Sequence, residues 1–286
     1  MPRSFSDAID MAIIHLQTLG ESDLFTSQPE TEFLLKNPAL TRHYLNEIDQ
    51  LILKKSEISF LPPTTDLFSL GPFHYRQGTL IDPLLNLYAT TILIQLSPNI
   101  EKCRIPRTKK RVFSYRISRK ITSNWFSQDV GWTEFNKANL ENANDFAFTA
   151  IADISQFYSS IRPEHLMQPF FEKFFGEKDR NRLSGIFHYL NIASEGLPVG
   201  GSFSRILAEA MLSPIDAEME LKRVNFTRFV DDIRIFANSE QELRMNLYFL
   251  TQRLILRGLY LNRHKIRVIE GCHYAQELMF ERPPFQ

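Results

Sequence analysis

The chain has 286 residues, 43% of them hydrophobic, enough to bury a substantial core in one large domain or two closely packed ones. Its 33 basic and 33 acidic side chains cancel, so no global positive field marks a polyanion binder, and any phosphate-facing surface must come from local clustering. Two distant cysteines, Cys103 and Cys272, argue against a disulfide framework or structural zinc, and with no apolar run of ~18 residues and no signal-peptide pattern the expected compartment is the cytoplasm, with no membrane partner.

Residues 5–55 carry two helical patterns, one with Ala8, Ala12 and His15 or Leu16 on one side, the other around Arg42 to Leu53. From Leu61 to Pro83, punctuation by Pro62, Pro63, Gly71, Pro72, Gly78 and Pro83 predicts an irregular, ordered connection, followed by a helix over Leu84 to Leu96. The stretch from Arg104 to Lys120 holds Arg104, Arg107, Lys109, Lys110, Arg111, Arg116, Arg119 and Lys120 without an acidic residue. It reads either as a local positive surface or as ordinary solvated charge, and the interleaved Val112, Phe113, Tyr115 and Ile117 suit a strand or hairpin.

Phe146 to Ile154, rich in aromatic and β-branched residues, predicts a strand that ends near Asp153. Ser202 or Ser204 can start a helix with Ile206, Leu207, Ala210 and Met211 as its apolar stripe. Phe226 to Phe236 reads as two short strands around Asp231 and Asp232, because acidic pairs are disfavoured within a ladder and tolerated at a turn. Ser239 and Glu242 resemble a capping box opening a helix with Leu243, Leu247, Leu250 and Leu254, which Gly258 is placed to end. Leu259 to Leu261 and Ile266 to Ile269 are further strand candidates. This order predicts an α+β domain with helices on one face of an antiparallel sheet.

Transfer of a nucleotide to a growing strand calls for carboxylates that hold two hard divalent cations about 4 Å apart. Asp153 and Asp231 each end a hydrophobic strand pattern, where rigid backbone can bring them together across the sequence. Either acid alone also reads as a plain turn residue.

The surrounding residues carry a resemblance. Ala152-Asp153-Ile154-Ser155-Gln156-Phe157-Tyr158-Ser159-Ser160-Ile161 resembles the first palm motif of bacterial reverse transcriptases, and Gly196-Leu197-Pro198-Val199-Gly200 with Ser204 resembles their second. Phe229-Val230-Asp231-Asp232 resembles the third, and Gly258-Leu259-Tyr260-Leu261-Asn262 through Lys265 the fourth. The four stand in the family's order over about residues 146–270, nearest to the retron, group II intron and phage-defence branches, which share Gly-Leu-Pro. The resemblance implies a right-hand polymerase. Residues 1–145 would be N-terminal helices and fingers, and 146–270 a palm with an inserted fingers segment around 162–195. Residues 271–286 would be a tail or the start of a missing thumb: either the sequence is a truncated piece, or the grip on product comes from a partner chain or an associated RNA.

It further implies that Asp153, Asp231 and Asp232, with the Ile154 carbonyl, hold two Mg2+ ions, with Mn2+ as a substitute. Tyr158 matches the steric gate against a 2′-hydroxyl, with Phe157 beside it as a second nucleotide contact or a core residue. Gly196, Pro198 and Gly200 would allow close approach of nucleotide or template base. Ser204, Arg228 and Phe229 would face template or primer, Ser204 alternatively capping its helix. Lys265 would offer a proton or positive charge to the leaving pyrophosphate. The basic segment stands where the family clamps the triphosphate, making Arg107, Lys109, Arg111 and Arg116 candidates. Its Lys109-Lys110-Arg111-Val112-Phe113-Ser114-Tyr115-Arg116 departs from the family's Lys-Gly turn followed by Arg-Pro-Ile. The implied activity is RNA-directed DNA polymerisation from dNTPs, an RNA template and a DNA or RNA primer, with an associated non-coding RNA or partner protein and, by analogy, a role in bacterial antiphage defence. The alternatives are untemplated or protein-primed DNA synthesis at the same site, a non-catalytic RNA-binding scaffold, and an RNA polymerase, the last disfavoured by Tyr158.

Overall fold

In the computed structural model, which describes residues 4–118, 125–162, 173–193 and 196–280, prolines open the N-terminal helices. Arg119 and Lys120 of the basic segment, residues 163–172, 194 and 195 of the predicted fingers insertion and the tail beyond 280 lie outside the described residues. Helix α1 (Phe5–Leu19) starts behind Ser4, whose hydroxyl accepts from the Asp7 amide at 3.1 Å. Helices α2 (Pro29–Lys36), α3 (Pro38–Leu53) and α4 (Pro83–Cys103) carry proline in their first turn, where its missing N–H has no helical partner to lose. Three helices thus stand where two were expected over residues 5–55, because the 8 residues of α2 are too few to display a period. Asp82 caps α4 by accepting from the amides of Leu84 (2.7 Å) and Leu85 (3.1 Å), and the helix outruns its expected end at Leu96.

The stretch expected to be irregular between Leu61 and Pro83 is an antiparallel hairpin, β1 (Thr64–Gly71) and β2 (His74–Leu80). Pro62 and Pro63 fall before it, and Pro72-Phe73 form its loop, where proline removes no ladder bond and Phe73 takes a φ of 69°. Phe68 packs edge-on to Phe25 with centroids 4.8 Å apart, tying the hairpin to the α1–α2 loop.

The palm sheet has the order β4-β5-β3-β6, all neighbours antiparallel: β3 (Phe148–Asp153), β4 (Asn225–Phe229), β5 (Asp232–Ala237) and β6 (Arg267–Glu270). Helices cover both faces rather than the one expected. Ile233 and Ile235 of β5 join the large core with α8 (Ser202–Leu221) and α9 (Glu240–Ile255). Phe236, from the opposite face, packs with Ala143 of α5 (Trp132–Asp145) and Tyr274 of α10 (Gly271–Phe280). Short α6 (Phe157–Ser160) and α7 (Glu177–Ala193) lie between β3 and α8 in sequence. The capping box forms, with Ser239 Oγ accepting from the Glu242 amide at 3.2 Å, and Gly258, at φ 69°, follows the end of α9. Leu261 makes only an isolated bridge to Ile154 instead of a strand. Among the described residues no helix is long and apolar enough to cross a membrane.

Helix α8 carries Glu209 and Asp216 into the interior, both buried. Arg228 of β4 donates Nε and Nη2 to the two Asp216 oxygens (2.9 and 2.6 Å) and Nη1 and Nη2 to the two Glu209 oxygens (3.1 Å each). Arg104 donates Nη2 to Glu209 at 2.6 Å and to the Ser114 carbonyl at 2.6 Å, and Ser114 Oγ donates to Glu209 at 2.5 Å. Burial alone would raise the Glu209 carboxyl; Arg228 and Arg104 more than reverse it and hold the group below its ordinary range. Removing one member strands buried charge. Glu209→Ala is expected to lose about 3–5 kcal/mol, read as a lower denaturant midpoint at unchanged slope, and an unshifted midpoint would refute the network's structural role.

Candidate active site

Register brings the acids together. β3 pairs with β5 so that Phe148 faces Ala237 and Asp153 faces Asp232, while β4 pairs Phe229 with Asp232 and leaves Val230 and Asp231 as a two-residue loop. The turn is therefore Val230-Asp231, one residue earlier than the acidic pair itself. Like charges directly opposite across a ladder repel. Burial, reinforced by Asp232 and Asp153, pushes the Asp231 carboxyl up to about 6. Burial and Asp153 also raise Asp232, against the pull of Arg234. Two of the acids lean on cations of the chain: Lys265 Nζ donates to Asp153 Oδ1 at 2.9 Å, and Arg234 Nη1 lies 3.4 Å from Asp232 Oδ1. Lys265 is delivered by the fourth motif, whose backbone joins the end of β3 through Ser155 N to Tyr260 O and Asn262 N to Asp153 O, 2.8 Å each.

Val230 is strained. A β-branched residue at φ 56° persists only where its surroundings over-determine it. Here its amide donates to Ser114 Oγ at 2.9 Å and its carbonyl accepts from Arg228 Nη1 at 2.8 Å. Ser114 arrives because residues 111–113 run parallel along β4: Arg228 N donates to Arg111 O (2.7 Å) and Phe113 N to Arg228 O (3.0 Å). The interior ion network and the loop holding Asp231 thus share atoms.

Several expected contacts are replaced. Arg228, expected near template or primer, is fully buried on Glu209 and Asp216. Arg116 is buried on Glu101 (3.2 Å) and the Ile105 carbonyl (2.6 Å); Arg107 donates to Ser127 Oγ (2.9 Å) and the Ile117 carbonyl (2.5 Å). Lys109 and Arg111 pair with Glu220 (3.0 and 3.4 Å), and Arg111 also reaches Asn225 at the end of β4 opposite the acidic loop. Each expected triphosphate clamp is engaged within the chain. Ser204 is buried and caps nothing, the helix beginning behind Gly201. Phe157 is a core residue, and Phe229 sits among Tyr115, Trp132 and Phe135, centroids 6.4, 5.1 and 5.8 Å away.

The second motif folds against the first: Leu197 N donates to the Tyr158 carbonyl at 2.9 Å. Gly196 (φ 74°) would place a Cβ against the Ser159 and Tyr158 carbonyls, and Gly200 (φ 115°) against Ser22 Oγ. The close approach these glycines permit is that of the chain's own segments, with Pro198 between them. Tyr158 is partly buried, and burial together with Tyr115 raises its phenol well above the ordinary value.

Three carboxylates and no soft donor at the sheet end fit a hard divalent ion such as Mg2+ or Mn2+, and the ammonium on Asp153 shows that these acids accept a cation. Among the described residues, the His, Cys, Asp and Glu side chains whose ligand atoms gather in a group of three within 4.8 Å are the exposed Glu270, Cys272 and His273 at the β6–α10 corner, apart from this site; the three aspartates, brought to one sheet end by register, do not close to that spacing.

Three acids thus meet at one end of an antiparallel sheet, with a lysine held against one of them. A family model described as reverse transcriptase (RNA-dependent DNA polymerase) matches residues 95–276, well over half of the chain, and the chain belongs to that family. A solved apo telomerase from Candida tropicalis, truncated from its C-terminal domain, shares the fold with a TM-score of 0.52 at 12% identity. The alignment covers 75% of this chain and 51% of the telomerase chain, so this chain spans about half the length of that one. No curated protein matches.

Because folding raises the Asp231 carboxyl, ionising it costs stability, fully above about pH 6 and not at all below about pH 4. Asp231→Asn is expected to stabilise the metal-free protein at pH 8 by on the order of 2 kcal/mol, read as a higher melting temperature, and to leave the melting temperature unchanged near pH 4. Equal effects at both pH values would refute the raised Asp231 carboxyl.

Proposed function

We propose that this chain extends a nucleic-acid primer by adding dNTPs under the direction of an RNA template. The observation that carries the reading is the register pairing of Asp153 with Asp232 beside the Asp231 loop, with Lys265 bonded to Asp153. Asp153, Asp231 and Asp232, with the Ile154 carbonyl, would hold the divalent ions, Mg2+ or Mn2+, which when bound supply activation of the attacking 3′-hydroxyl and neutralisation of the triphosphate. Lys265 holds its proton firmly, its ammonium raised first by the hydrogen bond to Asp153, and it carries that proton within the cleft where pyrophosphate departs. Tyr158 forms the wall beneath the sugar and excludes a 2′-hydroxyl. The substrates and partners in this reading are dNTPs, an RNA template, a primer, and an associated RNA or protein that helps grip the product. A role in antiphage defence, and a cytoplasmic site of action, follow from the resemblance to bacterial branches.

The second reading, a non-catalytic RNA-binding scaffold, is favoured by the engagement of Arg107, Lys109, Arg111 and Arg116 within the chain. Against it stands the retention of three acids that destabilise one another. The test is incorporation of each labelled dNTP and NTP with Mg2+, with and without primed RNA, by wild type, Asp231→Ala/Asp232→Ala and Tyr158→Ala. The expected outcome is templated dNTP incorporation, abolished in the double variant and relaxed toward NTPs in Tyr158→Ala. Incorporation independent of template would favour untemplated or protein-primed synthesis, and none at all, with RNA still bound, would favour the scaffold.

A further inference from the structure

Arg205 lies in the first turn of α8, immediately beyond the Gly200-Gly201 loop. Its guanidinium stands 5.2 Å over the Tyr115 ring centroid and pairs with Asp23 of the α1–α2 loop. That loop is docked on the second motif: Asp23 N donates to Gly200 O at 3.2 Å, and Ser22 Oγ fills the space beside Gly200. Tyr115 in turn follows Ser114, which holds Val230, and its ring leans on Phe229, the strand partner of Asp232. Through Tyr115 and Phe229 the guanidinium is thus packed toward the end of β4 that carries the Asp231 loop, and the charges of both Arg205 and Asp231 act on the Tyr115 and Tyr158 phenols.

The partner sets Arg205 apart from its neighbours. Arg104 and Arg228 are bonded to a fully buried carboxylate, Arg116 donates to a buried backbone carbonyl, and Arg107, which also pairs with the exposed Asp129, is tied down by the Ile117 carbonyl. Arg205 has a side chain 22% exposed, and the Asp23 carboxylate that it holds is 52% exposed. An ion pair of that kind is weakly held and screened by salt. A guanidinium matches the paired oxygens of a phosphate at least as well as those of a carboxylate. The guanidinium lies over the Tyr115 ring while its Nη2 donates to the Asp23 carboxylate, the acceptor that a phosphate would replace.

We propose that Arg205 is a phosphate-binding residue of the cleft and that Asp23 is its resting anion, a carboxylate standing in for phosphate oxygens and exchanged for them when substrate enters. The inference rests on the polymerase reading of the cleft. The phosphate belongs either to the incoming triphosphate or to the backbone of the templating strand; the recognition chemistry is shared.

Opposite signs test it. Binding of a labelled primed RNA template, by fluorescence anisotropy, and binding of a dNTP to the template complex, by calorimetry, are measured with Ca2+ to suppress turnover. Wild type, Arg205→Gln, Arg205→Lys, Asp23→Asn and the Asp23→Asn/Arg205→Gln double variant are compared, each checked for folding by thermal melt. The expected result is binding weakened about tenfold in Arg205→Gln and partly restored in Arg205→Lys. Asp23→Asn should tighten binding severalfold, and the double variant should match Arg205→Gln. If the ligand is the template backbone, the anisotropy arm moves and its salt slope falls by about one in Arg205→Gln; if it is the triphosphate, only the calorimetric arm moves. Weakening by both single variants, or change by neither, would show a merely structural ion pair and overturn the inference. That outcome with a wild type that still incorporates dNTPs leaves the polymerase reading intact, whereas a wild type that binds neither ligand sinks both.

Discussion

Glu209 keeps a negative charge in the interior of the protein, and the fold is arranged to satisfy it. An isolated ion at such a depth costs several kcal/mol, so each oxygen must find donors in fixed positions. Arg228 supplies two from β4, Arg104 one from the segment after α4, and Ser114 one from the stretch beside β4. The 104–114 stretch and β4, far apart in sequence, are thereby pinned to one carboxylate of α8. The same Ser114 oxygen then accepts from Val230, and the same Arg228 donates to its carbonyl, so the strained residue ahead of Asp231 is held by the groups that neutralise Glu209.

Electrostatics divides the molecule into a framework and a cleft. In the framework, acid and base are matched and buried, and Arg228 is driven above its ordinary value, Asp216 and Glu209 overcoming the opposing effect of burial. In the cleft, acids face acids, and Asp231 is raised by burial and its neighbours. The framework stabilises the fold, and the cleft draws on that stability to hold charges that favour a bound cation. Lys265 and Arg234 moderate the repulsion without removing it.

What the sequence revealed was what local pattern can encode. The acids Asp153 and Asp231 were legible because each closes a hydrophobic strand pattern, and the helix behind Ser239 because its cap, period and terminating Gly258 agree. The four palm motifs marked the family, which the match over residues 95–276 establishes. Partners of charged side chains were not legible. Arg107, Arg111, Arg116 and Arg228 read as surface cations in a basic stretch or beside a motif, and only the tertiary fold shows Glu101, Glu220, Glu209 and Asp216 facing them. The β1–β2 hairpin was hidden by its prolines, which occupy its flank and loop, and by Gly71 and Gly78, which sit in its ladder opposite His74 and Asp66. Ser114, Arg205 and Asp23 carried no signal beyond their positions: Ser114 inside the basic stretch, and Arg205 as a charge at the start of an apolar helix.

The central claim is that Ser114, through Val230, fixes the loop that presents Asp231. The most direct measurement is Mn2+ affinity by electron paramagnetic resonance for wild type and Ser114→Ala, with circular dichroism confirming that the variant is folded. Groups that orient metal ligands typically contribute 10–100-fold to affinity, so the folded variant should bind Mn2+ about tenfold more weakly. A folded Ser114→Ala protein with unchanged Mn2+ affinity would contradict the account.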